Sequence, residues 1–206
     1  RLFAGGPTTV RGFPQNELGS AIYIATQFDT LYPGVTGRSD TLFRVTEGER
    51  GFRRAVPVGG NSLLVGNVEL RVPSPILSNV MQLTLFTDVG DVWNRGSDDV
   101  FQNFRLKATP GIQVGALSPV GLIRMVVGYN PYDRPAGPLY YEVPSALGGS
   151  LPCVSPNNDL RVHAVQGENG IVLTQEEGRC PRTFAPARDG SFASRLTFSF
   201  AIGQAF

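Results

Sequence analysis

Five segments of this chain alternate apolar and polar residues with a period of two, the pattern of β-strands that have one apolar and one polar face. These segments are residues 63–72, 82–93, 105–117, 122–129 and 195–206. Each has about the 9–11 residues that a tilted strand needs to cross a bilayer. The alternation predicts an all-β fold with antiparallel strands. By itself it fits a transmembrane β-barrel and a soluble β-sandwich equally.

Charges on the polar faces favour the barrel, because a water-filled lumen suits them. They are Glu69, Arg71, Asp88, Arg105, Lys107, Arg124 and Arg195. The connections also alternate in length, with short turns at 73–79 and 118–121 and longer polar loops at 94–103 and 131–193. This asymmetry is typical of outer-membrane barrels. Pro110 falls inside one predicted strand, where its missing N–H predicts a bulge or a locally weak pairing.

Composition excludes several other classes of protein. With 18 basic and 17 acidic residues, nothing in the charge balance points to a nucleic-acid partner. The 25 glycines and 16 prolines argue against a helical bundle, and no apolar run reaches the ~18 residues of a membrane-spanning helix. Residues 1–6 show no signal-peptide pattern. Since five strands cannot close a barrel, we expect the C-terminal portion of a longer polypeptide, or one piece of a split barrel, with upstream strands as its partners.

Two irregular stretches, residues 1–57 and 131–193, flank or interrupt the strands. The second is too long for a structureless loop in a compact domain, so we expect it to be disordered or to cap the outside of a barrel. It contains Cys153 and Cys180, the two cysteines of the chain, with no histidine-rich surroundings. The pair predicts a disulfide formed outside the cytosol, and the alternative is two free thiols.

Short motifs along the chain resemble the BamA/TamA outer-membrane protein assembly superfamily, or surface antigen family. They lie at residues 5–13, 59–63, 66–71, 86–90, 117–121 and 200–206. The first ends in Val-Arg-Gly-Phe, similar to a signature loop of that family, and the fourth, Phe-Thr-Asp-Val-Gly, resembles its Phe-x-Asp-x-Gly strand motif. The motifs follow one another in the family's order. The resemblance therefore implies a transmembrane β-barrel to which this chain contributes the last five strands and two long extracellular loops.

The resemblance also implies a functional loop. Residues 1–57 would be an extracellular loop folded into the lumen through its motif, and residues 58–206 the barrel strands with the extracellular loop 131–193. The loop motif is Val10, Arg11, Gly12 and Phe13, and the strand motif is Phe86, Asp88 and Gly90. Arg11 would meet Glu69 and Asp88, which the alternation also places on the polar face. Arginine suits this role because its planar guanidinium binds carboxylates through two donors and keeps its charge.

The end of the chain resembles the C-terminal recognition signal of outer-membrane barrels. The resemblance to BamA-type proteins also implies a weak seam between the first and last strands of the barrel. The residues concerned are Phe198, Phe200, Ile202, Gly203 and Phe206. Because Gly203 has no side chain, it would weaken the end of the strand at the seam. The alternative is that Gly203 merely makes room for the loop that folds back into the lumen.

The resemblance implies a BamA-type factor of the bacterial outer membrane that folds and inserts other outer-membrane proteins through the seam. Its partners would be the lipid bilayer, unfolded client proteins and accessory lipoproteins. A TamA-like assembly factor, a two-partner-secretion pore and a surface-binding protein that uses loop 131–193 remain alternatives.

We expect no enzyme, no cofactor and no metal. The single histidine, His163, has no catalytic neighbours in the sequence. The pairs Asp98-Asp99 and Glu176-Glu177 fit solvated loops better than a calcium site.

Overall fold

The computed structural model describes residues 1–25, 29–31, 42–44, 54–75, 79–96, 101, 103–119, 121–143, 145, 149–160, 162–167, 170–187 and 190–203. Strands dominate these residues, together with one short 3-10 helix at Ala193–Arg195. The strands are β1 (Ala21–Ala25), β2 (Asp29–Leu31), β3 (Leu42–Arg44), β4 (Arg54–Pro57), β5 (Ser62–Pro73), β6 (Met81–Trp93), β7 (Lys107–Ser118), β8 (Gly121–Tyr129), β9 (Leu139–Tyr141), β10 (Val162–Gly167), β11 (Gly170–Gln175) and β12 (Leu196–Gly203). In this described part of the chain, no helix has the length and apolar character needed to span a membrane.

The five long strands form one antiparallel sheet in the order β12-β8-β7-β6-β5. The predicted all-β, antiparallel architecture is confirmed. The segments found from alternation agree with these strands to within three residues at every described boundary. Among the strands that the structure describes, β12 and β5 are the two edges of this sheet.

The two faces of this sheet differ in chemistry. Cross-strand pairing aligns large hydrophobic side chains in lateral rows on one side, which we call the apolar face. One such row is Leu70, Leu85, Ile112, Val127 and Phe198. Of these, Leu70 is 60 % exposed and Phe198 is 70 % exposed. The opposite side, the polar face, carries Asp88 and Thr109, both fully buried. A continuous exposed apolar surface of this kind suits contact with lipid.

Placing a charge on the apolar face of β12 should destabilise the protein far more than placing one on its polar face. Phe200→Arg puts a cation where lipid is expected, at an estimated loss of about 2 kcal/mol in the free energy of unfolding. Ser199→Arg is the matched control, because the neighbouring side chain points to the polar face. Urea unfolding of the full-length protein in lipid vesicles measures both variants. Equal losses in the two would contradict the assignment of the faces.

The chain forms two compact units. The first unit comprises residues 1–20, 57–133 and 189–206 and contains the five-stranded sheet. The second comprises residues 21–56 and 134–188. Each unit has its own hydrophobic core.

The second unit is built around a small sheet in the order β4-β1-β9, in which β1 and β9 run parallel. Its buried core is Ala21, Tyr23, Ala25, Leu139, Val154 and Phe184. The Tyr23 ring meets Phe184 edge-on at 5.4 Å between centroids, and its hydroxyl donates to the Pro135 carbonyl at 2.7 Å. Residues 131–193 are therefore not a structureless loop where they are described, because they contain β9, β10 and β11.

A disulfide joins Cys153 and Cys180 in the second unit, with their Cα atoms 5.6 Å apart. The loop that it closes contains the β10–β11 hairpin. At the end of this hairpin, the Gln175 side chain accepts a hydrogen bond from the Cys153 N–H and donates one to the Cys153 carbonyl. The covalent link and these hydrogen bonds fix the base of the hairpin at one point.

Replacing both cysteines by serine should destabilise the second unit by about 3 kcal/mol, since closing a loop of this length restricts the unfolded chain. Limited proteolysis of the full-length protein should then cut within residues 134–188 at a much lower protease concentration. Cleavage within β5–β8 should not change. Unaltered resistance of residues 134–188 would show that the unit does not depend on the disulfide.

Candidate functional site: an arginine held on the polar face

Residues 4–18 form a loop that is closed by its own hydrogen bonds. The Leu18 N–H donates to the Ala4 carbonyl at 3.0 Å, and the Gly6 N–H donates to the Phe13 carbonyl at 2.9 Å. Gly5 has a φ of +108°, a backbone conformation that residues with a side chain rarely adopt. A Cβ at this position would lie 2.5 Å from the Pro14 carbonyl oxygen. The glycines that begin the motif thus allow the tight turn that presents Arg11.

Arg11 is bound to Asp88 on β6 through three donors. Its Nε donates to Oδ2 at 2.7 Å, its Nη2 to Oδ1 at 2.6 Å and its backbone N–H to Oδ2 at 2.8 Å. Arg11 is 6 % exposed and Asp88 is fully buried. A bidentate pair of this kind is among the strongest polar contacts in proteins, and burial reduces its screening by water.

Glu69 on β5 occupies the remaining side of the guanidinium. Its Oε1 lies 2.7 Å from Arg11 Nη1, while its Oε2 accepts hydrogen bonds from Nε and Nη2 of Arg71 at 2.9 and 2.6 Å. Asn67 donates to Asp88 Oδ1 at 2.8 Å and to the Thr9 carbonyl at 2.9 Å. Two arginines balance two carboxylates, and each carboxylate oxygen has a donor. The cluster therefore attaches the loop of residues 4–18 to β5 and β6.

The Phe86 ring lies against the guanidinium, with Arg11 Cζ 3.6 Å from the ring centroid. This cation–π contact binds the face of the cation while the carboxylates bind its edges. Burial alone would lower the pKa of Arg11, but hydrogen bonds and charge from Asp88 and Glu69 outweigh it and hold that pKa above its ordinary value. Arg11 stays charged under every physiological condition.

Glycines and apolar residues fit the rest of the motif to the sheet. Val10 is fully buried in a core with Ala4, Phe13, Leu18 and Val92. A Cβ at Gly90 would lie 2.9 Å from Val10 Cγ2, so the third member of the strand motif leaves the space that Val10 fills. The Phe13 ring stacks on Tyr132 at 6.5 Å between centroids.

The comparison with protein families agrees with this geometry. The family model of the Omp85 superfamily domain matches residues 1–206 of the chain. The chain belongs to the Omp85 superfamily. The resemblance to the BamA/TamA assembly superfamily is thereby confirmed, as is the barrel fold, since Omp85 proteins are β-barrels of the outer membrane.

Membership in the Omp85 superfamily also sets the general function. These proteins are non-enzymatic factors for the insertion or translocation of outer-membrane proteins, and they work with membrane lipids and client proteins. In the described residues of this Omp85 domain, no group of histidine, cysteine and acidic side chains is arranged to hold a metal ion. Asp98 and Asp99 lie outside the described residues.

The structure brings the loop motif, the strand motif and both carboxylates of the Omp85 domain into one cluster. The C-terminal residues Phe198, Phe200 and Ile202 lie apart from it, exposed on β12. Gly203 ends that strand, and Phe206 lies outside the described residues.

Although Arg71 was named among the charges of the polar faces, several residues of the cluster were not named as site residues from the sequence. They are Thr9, Asn67, Arg71, Thr109, Gly111, Gln113, Gly128, Tyr132 and Thr197. Alternation places Asn67 and Gln113 on the polar face. It does not say which residues of neighbouring strands are paired, and that pairing decides which side chains reach Arg11.

Proposed function

We propose that this chain belongs to a BamA-type insertase, which folds and inserts other outer-membrane proteins through a lateral seam at β12. Residues 1–57 would then be the lumen-folded loop and residues 58–206 the barrel strands, so that the polar face lines the lumen. One observation carries the proposal, namely the buried attachment of Arg11 to Asp88 and Glu69.

The attachment supports an insertase because it makes the loop a fixed part of the wall. Releasing Arg11 would strip Asp88 of three of its donors and leave a charge buried without its partner. Breaking a buried pair in this way raises the free energy by about 3–5 kcal/mol. A pore that passes polypeptides through its lumen would have to release the loop, whereas an insertase that works at its edge keeps it in place.

The position of β12 supports the seam. Within the described strands, β12 pairs with β8 alone, so its second edge is free of strand partners there. Backbone N–H and C=O groups at such an edge can pair with an incoming strand. Phe198 and Phe200, on the apolar face of the same strand, are 70 % and 62 % exposed. A client strand at this edge would therefore enter directly beside lipid.

Reconstitution of the full-length protein tests the proposal. Liposomes that contain it should fold a urea-denatured outer-membrane barrel faster than liposomes with an unrelated barrel of similar size. The same liposomes should show no conductance steps that an unfolded exoprotein can block. Blockable conductance without client folding would identify a two-partner-secretion-type pore instead.

A further inference from the structure

One lateral row of the polar face crosses all five long strands beneath the loop motif. Successive pairing partners in this row are Glu69, Phe86, Gly111, Gly128 and Thr197. Residues 10–13, which we call the strap, lie along the row from β5 to β12. Arg11 contacts Glu69 and Phe86 at one end, and the Thr197 hydroxyl donates to the Gly12 carbonyl at 2.9 Å at the other.

The two glycines in the middle of the row let the strap lie flat. A Cβ at Gly128 would lie 2.9 Å from the Arg11 oxygen and 2.9 Å from Gly12 Cα. A Cβ at Gly111 would lie 2.3 Å from Cζ of the Phe86 ring that supports the guanidinium. Because β7 and β8 present no side chain at these positions, the strap backbone reaches β12 closely enough for Thr197 to bind it.

We propose that Thr197 is a positioning residue through which the strap holds β12. The charge pairs fix the strap to β5 and β6, and the Thr197 hydrogen bond transmits that anchorage to the edge strand. Movement of β12 is then coupled to docking of Arg11. The consequence for clients rests on the proposed function, in which β12 is the seam, but the coupling itself does not.

A second link between the strap and β12 limits the expected effect of removing the Thr197 hydroxyl. Phe13 stacks on Tyr132, and the neighbouring Asn130 N–H donates to the Arg195 carbonyl at 2.8 Å, just before β12 begins. Removing the Thr197 hydroxyl therefore loosens β12 without releasing the strap.

Amide hydrogen exchange of the full-length protein in lipid nanodiscs tests the coupling. Thr197→Val, which keeps the shape and loses the donor, should speed exchange in Leu196–Gly203 by about two- to tenfold, the range expected for one hydrogen bond. Thr197→Ser should restore the original rate, and exchange in β6 should stay unchanged in both. Ser199→Ala, on the same face of β12, is the matched control and should have no effect.

Two results would overturn the proposal. One is unchanged exchange in β12 of Thr197→Val, and the other is equal acceleration in Thr197→Ser, which would point to packing rather than the hydroxyl. Client folding by the same proteins separates this proposal from the proposed function. If the exchange results hold while the unsubstituted protein folds no client, the insertase proposal fails and the role of Thr197 stands.

Discussion

Replacing Asp88 with alanine in the full-length protein is expected to lower its free energy of unfolding by about 3–5 kcal/mol, because the substitution leaves Arg11 buried without its main partner. Three donors of Arg11 lose their acceptor, namely Nε, Nη2 and the backbone N–H. The Asn67 amide loses one of its two acceptors and keeps the Thr9 carbonyl. Asp88→Asn should be nearly as harmful, since its amide nitrogen would face donors. The fall in the urea midpoint of the protein in detergent micelles measures the loss.

The matched control is Asp133→Ala. Asp133 also pairs with an arginine, since its Oδ1 lies 3.5 Å from Arg195 Nη2, but its side chain is 70 % exposed. Exposed pairs contribute about 0–1 kcal/mol, so this variant should unfold close to the original midpoint. Similar losses in Asp88→Ala and Asp133→Ala would mean that the buried Arg11 cluster contributes no more to the free energy of unfolding than an exposed ion pair does.

Substituting Gly12 with alanine should undock the loop by steric overlap alone. Its Cβ would lie 2.4 Å from Thr109 Cβ and 2.6 Å from Thr109 Cγ2. No rotamer of Thr109 moves its Cβ, and the pairing of Thr109 with Asp88 on β6 holds this part of β7 in place, so the loop has to shift. The shift separates Arg11 from Asp88, and the loss should again be about 3–5 kcal/mol, measured by the same urea unfolding.

Thr109→Gly provides the rescue. Alone it should destabilise the protein by about 1–2 kcal/mol, through a weaker strand and a small cavity. Combined with Gly12→Ala it removes the overlapping atoms, so the double variant should be more stable than Gly12→Ala by itself. A double variant that is less stable than either single one would show that Gly12 is needed for another reason.

Alternation was enough to find the long strands, because each has one lipid-facing and one polar side and the period survives in the sequence. It did not find the β1–β9 pairing, in which Tyr23 meets Leu139 across more than a hundred residues with no local signal. Of the two outcomes predicted for Pro110, the bulge is wrong, because the pairing of β7 with β6 continues through Thr87 and Pro110 in one register. The other outcome, a locally weak pairing, agrees with the structure, since the pairing of β7 with β8 ends at Gly111 and leaves Pro110 without a partner on β8.

For the candidate site, the resemblance predicted that an arginine meets carboxylates, and the alternation predicted that these carboxylates lie on the polar face of the sheet. Which other side chains contact Arg11 and its loop depends on the register between neighbouring strands. Glu69 and Asp88 could be named because the resemblance implies that Arg11 meets carboxylates, and these two are the acidic residues among the charges named for the polar faces. Gly128 and Thr197 could not, because a glycine and a threonine are ordinary in a strand. Their importance arises only when pairing aligns them with Phe86 and the strap crosses above them.

A double-mutant cycle between Arg11 and Asp88 tests the central claim most directly, namely that the two form a buried pair that holds the loop on the polar face. Arg11→Ala, Asp88→Ala and the double variant are unfolded with urea in the full-length protein. We predict that the double variant is no less stable than the worse single variant, with a coupling energy of about 3 kcal/mol. Losses that add to within about 0.5 kcal/mol would contradict the pair and the docked loop with it.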